Sequence, residues 1–148
     1  MRLAFCVAFV LFGLRLAGQT NTVPGDFSIT LERTGCLGNC PEYNVTVFSN
    51  GWVRYEGRGY VRIAGTRKSR IPSSDVQKLV ERLQDEDFFK WEVKDQVCVD
   101  FPEVEITATL NGKQKQVLEG CNAPGKVLQL ANEIDRITGA KRWVGTRR

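Results

Sequence analysis

The chain has 148 residues and a formal net charge of +4, which is enough length for one domain with a hydrophobic core. It contains no histidine, the side chain most used for acid–base catalysis and metal binding near neutral pH. Because serine-nucleophile motifs, phosphate-binding loops and dinucleotide fingerprints are also missing from the sequence, composition and motifs point away from most enzyme classes.

Residues 1–18 have the pattern of a signal peptide. Met1-Arg2 is a short positive start, residues 3–14 are an apolar run, and residues 16–18 offer small side chains for cleavage. A membrane anchor would need about 20 apolar residues. A lipoprotein would need its cysteine at the end of the apolar run, whereas most of the run follows Cys6. We therefore expect export to the periplasm or the extracellular space, with no membrane span after cleavage.

The rest of the chain is expected to form one domain with two short extensions. We predict a flexible N-terminal segment at residues 19–26, a single α+β domain at 27–138 and a basic C-terminal tail at 139–148. Removing the leader lowers the formal charge from +4 to +2, because the leader contains two arginines and no acid. Four more cations follow Gly139. We interpret them as a solvated, frayed end.

Alternating apolar and polar residues predict strands in the first half of the chain. The period of two is clear at residues 27–32 and 43–48, and Asn50-Gly51 then predicts a hairpin. Gly57 and Gly59 interrupt the return strand, where a bulge or a close backbone approach is expected. Two further short strands are predicted at 60–63 and 67–71. The first half is thus a four- or five-stranded antiparallel meander.

The second half reads as a helix, a hairpin and a second helix. Apolar positions recur at helical spacing from residue 76 to 83, and the aromatic cluster at 88–91 that follows is interpreted as part of the core. Asn111-Gly112 joins two strands at 104–110 and 113–118, and residues 127–137 form the last amphipathic helix. We predict an α+β fold in which both helices pack on one face of an antiparallel sheet.

Four cysteines remain after removal of the leader, and three pairings are possible. Cys36 and Cys40 can close a short loop, since Gly35 and Gly38 relax the backbone between strands. Cys121 falls near Cys98 if the second hairpin has a two-residue turn. The two bridges would contribute about 2 and about 3.5 kcal/mol, so the longer one would matter more for stability.

Functional uses of these cysteines are weaker interpretations. A thioredoxin-type pair has two intervening residues at a helix start, whereas Cys36 and Cys40 have three and are followed by Pro41 and a strand. A four-cysteine zinc site usually has two closely spaced pairs of cysteines, whereas Cys98 and Cys121 lie far apart in the sequence. Copper capture usually recruits histidine or methionine, and Met1 is the sole methionine. We expect no metal and no cofactor.

The segment from Gly35 to Tyr43, with its sequence GCLGNCPEY, resembles a family of secreted bacterial domains of unknown function, number 6438. Other positions agree with the same family pattern along most of residues 27–135: Gly51, Val53, Tyr55, Gly57, Phe88-Phe89, Asp100, Pro102 and Asn111-Gly112-Lys113. Cys98 and Cys121 are not part of the pattern. The resemblance implies export and a single compact domain, and it brings no activity, substrate or partner.

An exposed strand face is the candidate binding surface. It combines two aromatic residues and three arginines: Trp52, Arg54, Arg58, Tyr60 and Arg62. Such a combination can bind polyanions or single strands. The alternative is an ordinary solvated face, with Glu56 among the arginines, and export argues against a nucleic acid. Glu103 and Glu105 share an exposed face, which leaves them without the burial that an acid catalyst needs.

Two functional hypotheses follow from the sequence. The first is a non-enzymatic, secreted or periplasmic, disulfide-stabilised binding module whose partner is a protein, a glycan or another envelope component. The second is a thiol redox or metal-binding protein that uses Cys36 and Cys40. They differ in what they require of the thiols, because the first predicts no free thiol.

Overall fold

The computed structural model describes residues 22–92, 101–120 and 125–145. Outside these ranges lie the predicted signal peptide, the predicted pairing of Cys98 with Cys121, residues 19–21 of the predicted N-terminal segment, and Arg147 and Arg148 of the predicted basic tail.

Six strands form one antiparallel sheet. They are β1 (Ser28–Arg33), β2 (Glu42–Phe48), β3 (Trp52–Gly59), β4 (Gly65–Arg70), β5 (Val104–Leu110) and β6 (Lys113–Glu119). The order across the sheet is β4-β3-β2-β1-β5-β6. The first four strands are the predicted meander, and the second hairpin joins the same sheet because β5 pairs with β1.

Helices cover one face of this sheet. They are α1 (Ser73–Asp85), α2 (Gly125–Thr138) and the short α3 (Lys141–Val144), with a single 3-10 turn at Phe88–Lys90. Alternate strand residues, such as Ile29, Val45 and Ile106, are fully buried beneath the apolar stripes of α1 and α2. The predicted α+β fold, with both predicted helices on one face, is confirmed. No helix in the described ranges is long and apolar enough to cross a bilayer.

Both Asn-Gly turns lie where the sequence predicts them. Leu110 pairs with Lys113, so the second hairpin has a two-residue loop, and Asn111 and Gly112 have φ values of 51° and 72°. Positive φ at both positions is the geometry that Asn-Gly favours in a hairpin. The carboxylate of Asp26 accepts hydrogen bonds from both of these backbone N–H groups.

The predicted strand at residues 60–63 is wrong. β3 ends at Gly59, Tyr60 has a φ of 50°, and residues 60–64 form the turn that leads into β4. This turn passes so close to β3 that a Cβ at Gly57 would lie 2.4 Å from the carbonyl oxygen of Ile63. The predicted bulge and close approach are confirmed, because β2 and β3 also shift register between Glu42 and Tyr43.

The N-terminal segment differs from the prediction of a flexible extension. The N–H of Phe27 donates to the carbonyl of Pro24, and the hydroxyl of Ser49 donates to the carbonyl of Gly25. Val23 packs against the core. Residues 23–27 therefore follow a defined path beside the sheet, because the carbonyls of Gly25 and Phe27 accept from Ser49 after β2 and the Asp26 carboxylate accepts from the turn after β5.

The prediction of a frayed basic tail after Gly139 is also wrong for residues 140–145. Trp143 in α3 is only 8% exposed, and its ring centroid lies 5.0 Å from that of Tyr55. The carbonyls of Val144 and Trp143 accept hydrogen bonds from Arg62 and Ile63. Burial of one large aromatic side chain and these backbone hydrogen bonds outweigh the charge of the surrounding cations.

Candidate functional site

The loop between β1 and β2 contains the cysteine motif. The sulfur atoms of Cys36 and Cys40 are 1.98 Å apart, at bonding distance, and the two Cα atoms are 5.6 Å apart. Both residues are half-buried, while Leu37 at the loop tip is exposed. The motif ends at Tyr43, the first residue of β2 to point into the core.

Tyr43 belongs to a polar group centred on the buried Asp135, the Asp135 cluster, which consists of Arg33, Tyr43, Asn132 and Asp135. Its hydroxyl donates to one Asp135 oxygen at 2.8 Å, and Arg33 donates to the other oxygen from Nε at 3.1 Å and from a terminal nitrogen at 2.9 Å. Arg33 also donates to the amide oxygen of Asn132 at 3.1 Å. Asp135 is 5% exposed, so both carboxylate oxygens are paired away from bulk water.

The electrostatics of this cluster favour a fixed ion pair. Burial raises the pKa of Tyr43, and the negative charge of Asp135 raises it further, so the hydroxyl stays protonated as a donor. Burial alone would lower the pKa of Arg33, but the Asp135 carboxylate and Tyr43 raise it above its ordinary value. A cavity of about 490 Å³ lies beside the cluster, lined in part by Cys40, Pro41 and Lys141.

The face of the sheet opposite the helices is open. No residue that points to it from the described strands is fully buried. At one end of this face lies the basic corner, which we define as Phe48, Trp52, Arg54, Lys68 and Arg70. The strand register sets Arg54 directly opposite Lys68 and Trp52 directly opposite Arg70. The Arg70 guanidinium lies 5.0 Å from the centre of the Trp52 ring.

The cations of the basic corner lack carboxylate partners in the described part of the chain. No ion pair there involves Arg54, Lys68 or Arg70, although the Arg70 guanidinium donates to the backbone carbonyl of Asn50 at 3.2 Å. Like charges directly opposite each other on a sheet are destabilising, by up to about 1 kcal/mol. The repulsion between Arg54 and Lys68 therefore costs stability that no described ion pair offsets, although Glu56 lies diagonally across from Lys68 on the same face.

Arg58, a predicted site residue, lies at the other end of the open face, where the carboxylates are. It forms ion pairs with Glu32 at 2.5 Å and with Glu42 at 3.3 Å. The hydrogen bond that Arg58 donates to the Glu32 carboxylate raises the pKa of Arg58, against a smaller opposing effect of burial. Glu32 is opposite Glu105 in the register, and Arg58 offsets this like-charge pair. Arg58 is therefore engaged within the sheet.

The remaining predicted site residues lie apart from the basic corner. Tyr60 is exposed in the turn after β3, and Arg62 is exposed beside Gly145, where the turn meets α3. The structure thus brings together Trp52 and Arg54 and separates Arg58, Tyr60 and Arg62 from them. The prediction places Tyr60 and Arg62 on this face because it assumes a strand at 60–63, in which alternate residues would point the same way as Trp52 and Arg54. The chain turns after Gly59 instead.

Sequence reasoning missed Lys68 and Arg70 as members of this surface. They reach it because β4 pairs with β3 after a five-residue turn, for which the sequence has no Asn-Gly signal. It also missed the Asp135 cluster, although one signal was present. Asp135 follows Ala131 by four residues, so it falls on the apolar stripe of α2, where an acid needs a buried partner.

Neither the Asp135 cluster nor the basic corner has the ligands of a metal centre among the described residues. Within residues 22–92, 101–120 and 125–145, no group of three or more cysteines and acids is placed to hold a metal ion. Glu103 and Glu105, the carboxylates considered for catalysis, are both half-buried.

Comparison with known families gives one match. Residues 27–138 match the family described as a domain of unknown function, DUF6438. Comparison with curated proteins gives no match.

Proposed function

Since the chain belongs to the DUF6438 family, whose description names no activity, we propose from geometry that it is an exported binding module that takes an anionic partner on the basic corner. The observation that carries the proposal is the direct opposition of Arg54 and Lys68, neither of which forms an ion pair within the described residues, although Glu56 lies two residues from Arg54 on the same face. A bound anion would remove the repulsion between these cations. Export is supported by the leader pattern of residues 1–18.

The form of the surface suits binding better than catalysis. Trp52 is 43% exposed, and a cavity of about 480 Å³ lies between it, Phe48, Arg54 and Lys68. Aromatic residues and arginine are the side chains that contribute most at binding surfaces. The corner has no nucleophile beside a base, which acid–base or covalent catalysis would require.

Thiol chemistry at Cys36 and Cys40 remains the alternative, and no geometric observation favours it. A reactive thiol gains acidity from a helix N-terminus or a nearby free cation. This pair lies in a loop between two strands, and the nearby Arg33 is engaged with Asp135. A disulfide in the loop instead fixes the approach to Tyr43.

Charge reversal at one edge of the sheet tests the proposed function. We expect Lys68→Glu to weaken binding to at least one of three anionic polymers (polyglutamate, oligo-dT and polygalacturonate) by about tenfold, and to reduce the salt dependence of binding. Lys113→Glu is the matched control, because it changes the net charge equally from an exposed position on β6, at the opposite edge. Affinities are measured by fluorescence titration at several salt concentrations.

Two results would contradict the proposed function. One is the absence of binding to all three polymers at low salt. The other is an equal effect of Lys68→Glu and Lys113→Glu, which would mean that net charge rather than the basic corner attracts the polymers.

A further inference from the structure

We infer that the anionic partner is a linear acidic glycan that lies across the strands of the open face, with a sugar ring on Trp52 and its carboxylate between Arg54 and Lys68. The inference rests on the proposed function and adds the chemical class of the partner. Three features support the inference: the oriented ring of Trp52, the cations beside it, and the hydroxyl and amide side chains that follow Arg54 across the neighbouring strands.

The aromatic surface is exposed and oriented. Of the three tryptophans, Trp91 and Trp143 are buried and Trp52 alone is exposed. The Arg70 guanidinium over its ring restrains its orientation before any ligand arrives. An oriented flat aromatic ring favours a ligand that presents a flat, partly apolar face, because less ordering is needed on binding.

The cations lie beside this ring rather than at a distance from it. Arg54 and Lys68 line the same cavity of about 480 Å³ as Trp52. A ligand that uses both the Trp52 ring and these cations combines a negative charge with a flat ring. A sugar acid has both, and so does a nucleotide, whereas an acidic peptide has the charge without the ring.

The continuation of the row favours a glycan over a nucleic acid. From the outer strand inward, directly paired positions on the open face are Lys68, Arg54, Thr46, Thr30, Thr107 and Gln116. Three threonines thus follow the two cations, and the hydroxyl oxygens of Thr30 and Thr46 lie 2.9 Å apart. Single-stranded nucleic acids are bound on a series of aromatic residues. A row of hydroxyl and amide groups instead matches a chain of hydroxyl-bearing sugars.

The length of the row sets the expected size of the bound segment. Neighbouring strands are about 4.8 Å apart, so the six positions extend over about 24 Å. That distance accommodates several sugar units of an extended chain. Affinity should therefore increase with oligomer length and level off once the row is filled.

The experiment compares the same three polymers by acrylamide quenching of tryptophan fluorescence, which selects Trp52 because the other two tryptophans are buried. We expect polygalacturonate to bind most tightly and to protect Trp52 from quenching by acrylamide. Trp52→Ala removes the fluorescent reporter, so its affinity is measured by isothermal titration calorimetry beside wild type. The substitution should weaken polygalacturonate binding about tenfold, the size of effect that loss of one stacking contact produces. Leu128→Ala is the matched control, because Leu128 is an apolar residue of similar exposure on α2, on the helix-covered side of the sheet.

Each other outcome is decisive. Polyglutamate binding as tightly as polygalacturonate, or full affinity in Trp52→Ala, would overturn the glycan and leave anion binding in place. Tighter binding of oligo-dT would overturn the glycan in favour of a nucleic acid. Failure of all three polymers to bind would overturn the proposed function itself. Both substituted side chains are exposed, so we expect each variant to keep the fold. Circular dichroism of each variant checks this.

Discussion

The Asp135 cluster and the basic corner are both built from charged residues next to aromatic ones, yet they differ in whether the charges are paired. In the cluster, Arg33 and Asp135 form a salt bridge of 2.9 Å, and Tyr43 satisfies the second carboxylate oxygen. In the corner, Arg54 and Lys68 lie opposite each other on neighbouring strands. Folding requires the first arrangement and gains nothing from the second.

The difference separates a structural role from a binding role. A buried charge must be paired, because an unpaired one would cost several kcal/mol, so the Asp135 cluster is explained by its burial alone. Exposed like charges face no such requirement and lower stability slightly. On the proposed function, a partner of opposite charge would remove their repulsion. Three substitutions can break or sharpen this comparison.

The largest effect is expected from Asp135→Ala. It leaves the half-buried Arg33 without its carboxylate and the Tyr43 hydroxyl without its acceptor, so we expect the free energy of unfolding to fall by about 3 kcal/mol. Urea denaturation at neutral pH measures the change. Asn132→Ala removes only one hydrogen bond to Arg33 and should cost about 1 kcal/mol. A loss below that of Asn132→Ala would show that the cluster is not structural.

The second largest effect on stability is expected from Tyr43→Phe, and it depends on pH. Tyr43→Phe should lower the free energy of unfolding by about 1–2 kcal/mol at pH 7, because Asp135 loses a donor. Since the folded state raises the pKa of Tyr43, the stability due to this hydroxyl is fully present below about pH 10, the value for an unfolded tyrosine. Above that pH the unfolded state loses its proton first, and the wild-type protein loses this stability.

The difference between wild type and Tyr43→Phe should therefore narrow as pH rises above about 10. Urea denaturation from pH 8 to pH 11 measures it. The exposed Tyr60 is the control, since Tyr60→Phe should leave the free energy of unfolding unchanged throughout. A difference for Tyr43→Phe that stays constant with pH would contradict a shifted hydroxyl.

The sequence predicts the parts of this molecule that depend on local pattern. Period-two alternation locates β1 and β2, and Asn111-Gly112 fixes the register of the second hairpin, because both signals act between neighbouring residues. The Asp135 cluster depends on residues about a hundred positions apart, such as Arg33 and Asp135. No local period connects them, and only the packing of α2 on the sheet brings them together.

The same reasoning explains the divided binding face. Trp52 and Arg54 were predicted because they alternate within one strand. Lys68 and Arg70 join them across a strand pair that follows an irregular turn. The packing of Trp143 against Tyr55 likewise joins α3 to β3. The sequence around either residue does not indicate this contact.

The smallest expected effect on stability is the most informative one, and it comes from Lys68→Glu. The substitution replaces the repulsion between Lys68 and Arg54 by an attraction. Glu56 lies diagonally across the strand pair and opposes part of the gain. We expect the free energy of unfolding to rise by about 0.5 kcal/mol, while Lys113→Glu, which has Leu110 opposite it, leaves stability nearly unchanged.

Lys68→Glu is thus expected to raise the free energy of unfolding and to weaken anion binding. Lys68 would then have opposite effects on stability and on binding. Such opposite effects are what a stability–function trade-off at a binding residue produces. If Lys68→Glu instead lowered stability, Lys68 would have a structural role, and the basic corner would no longer differ from the Asp135 cluster. Urea denaturation at low and at high salt separates the cases, because screening should remove a gain that is electrostatic.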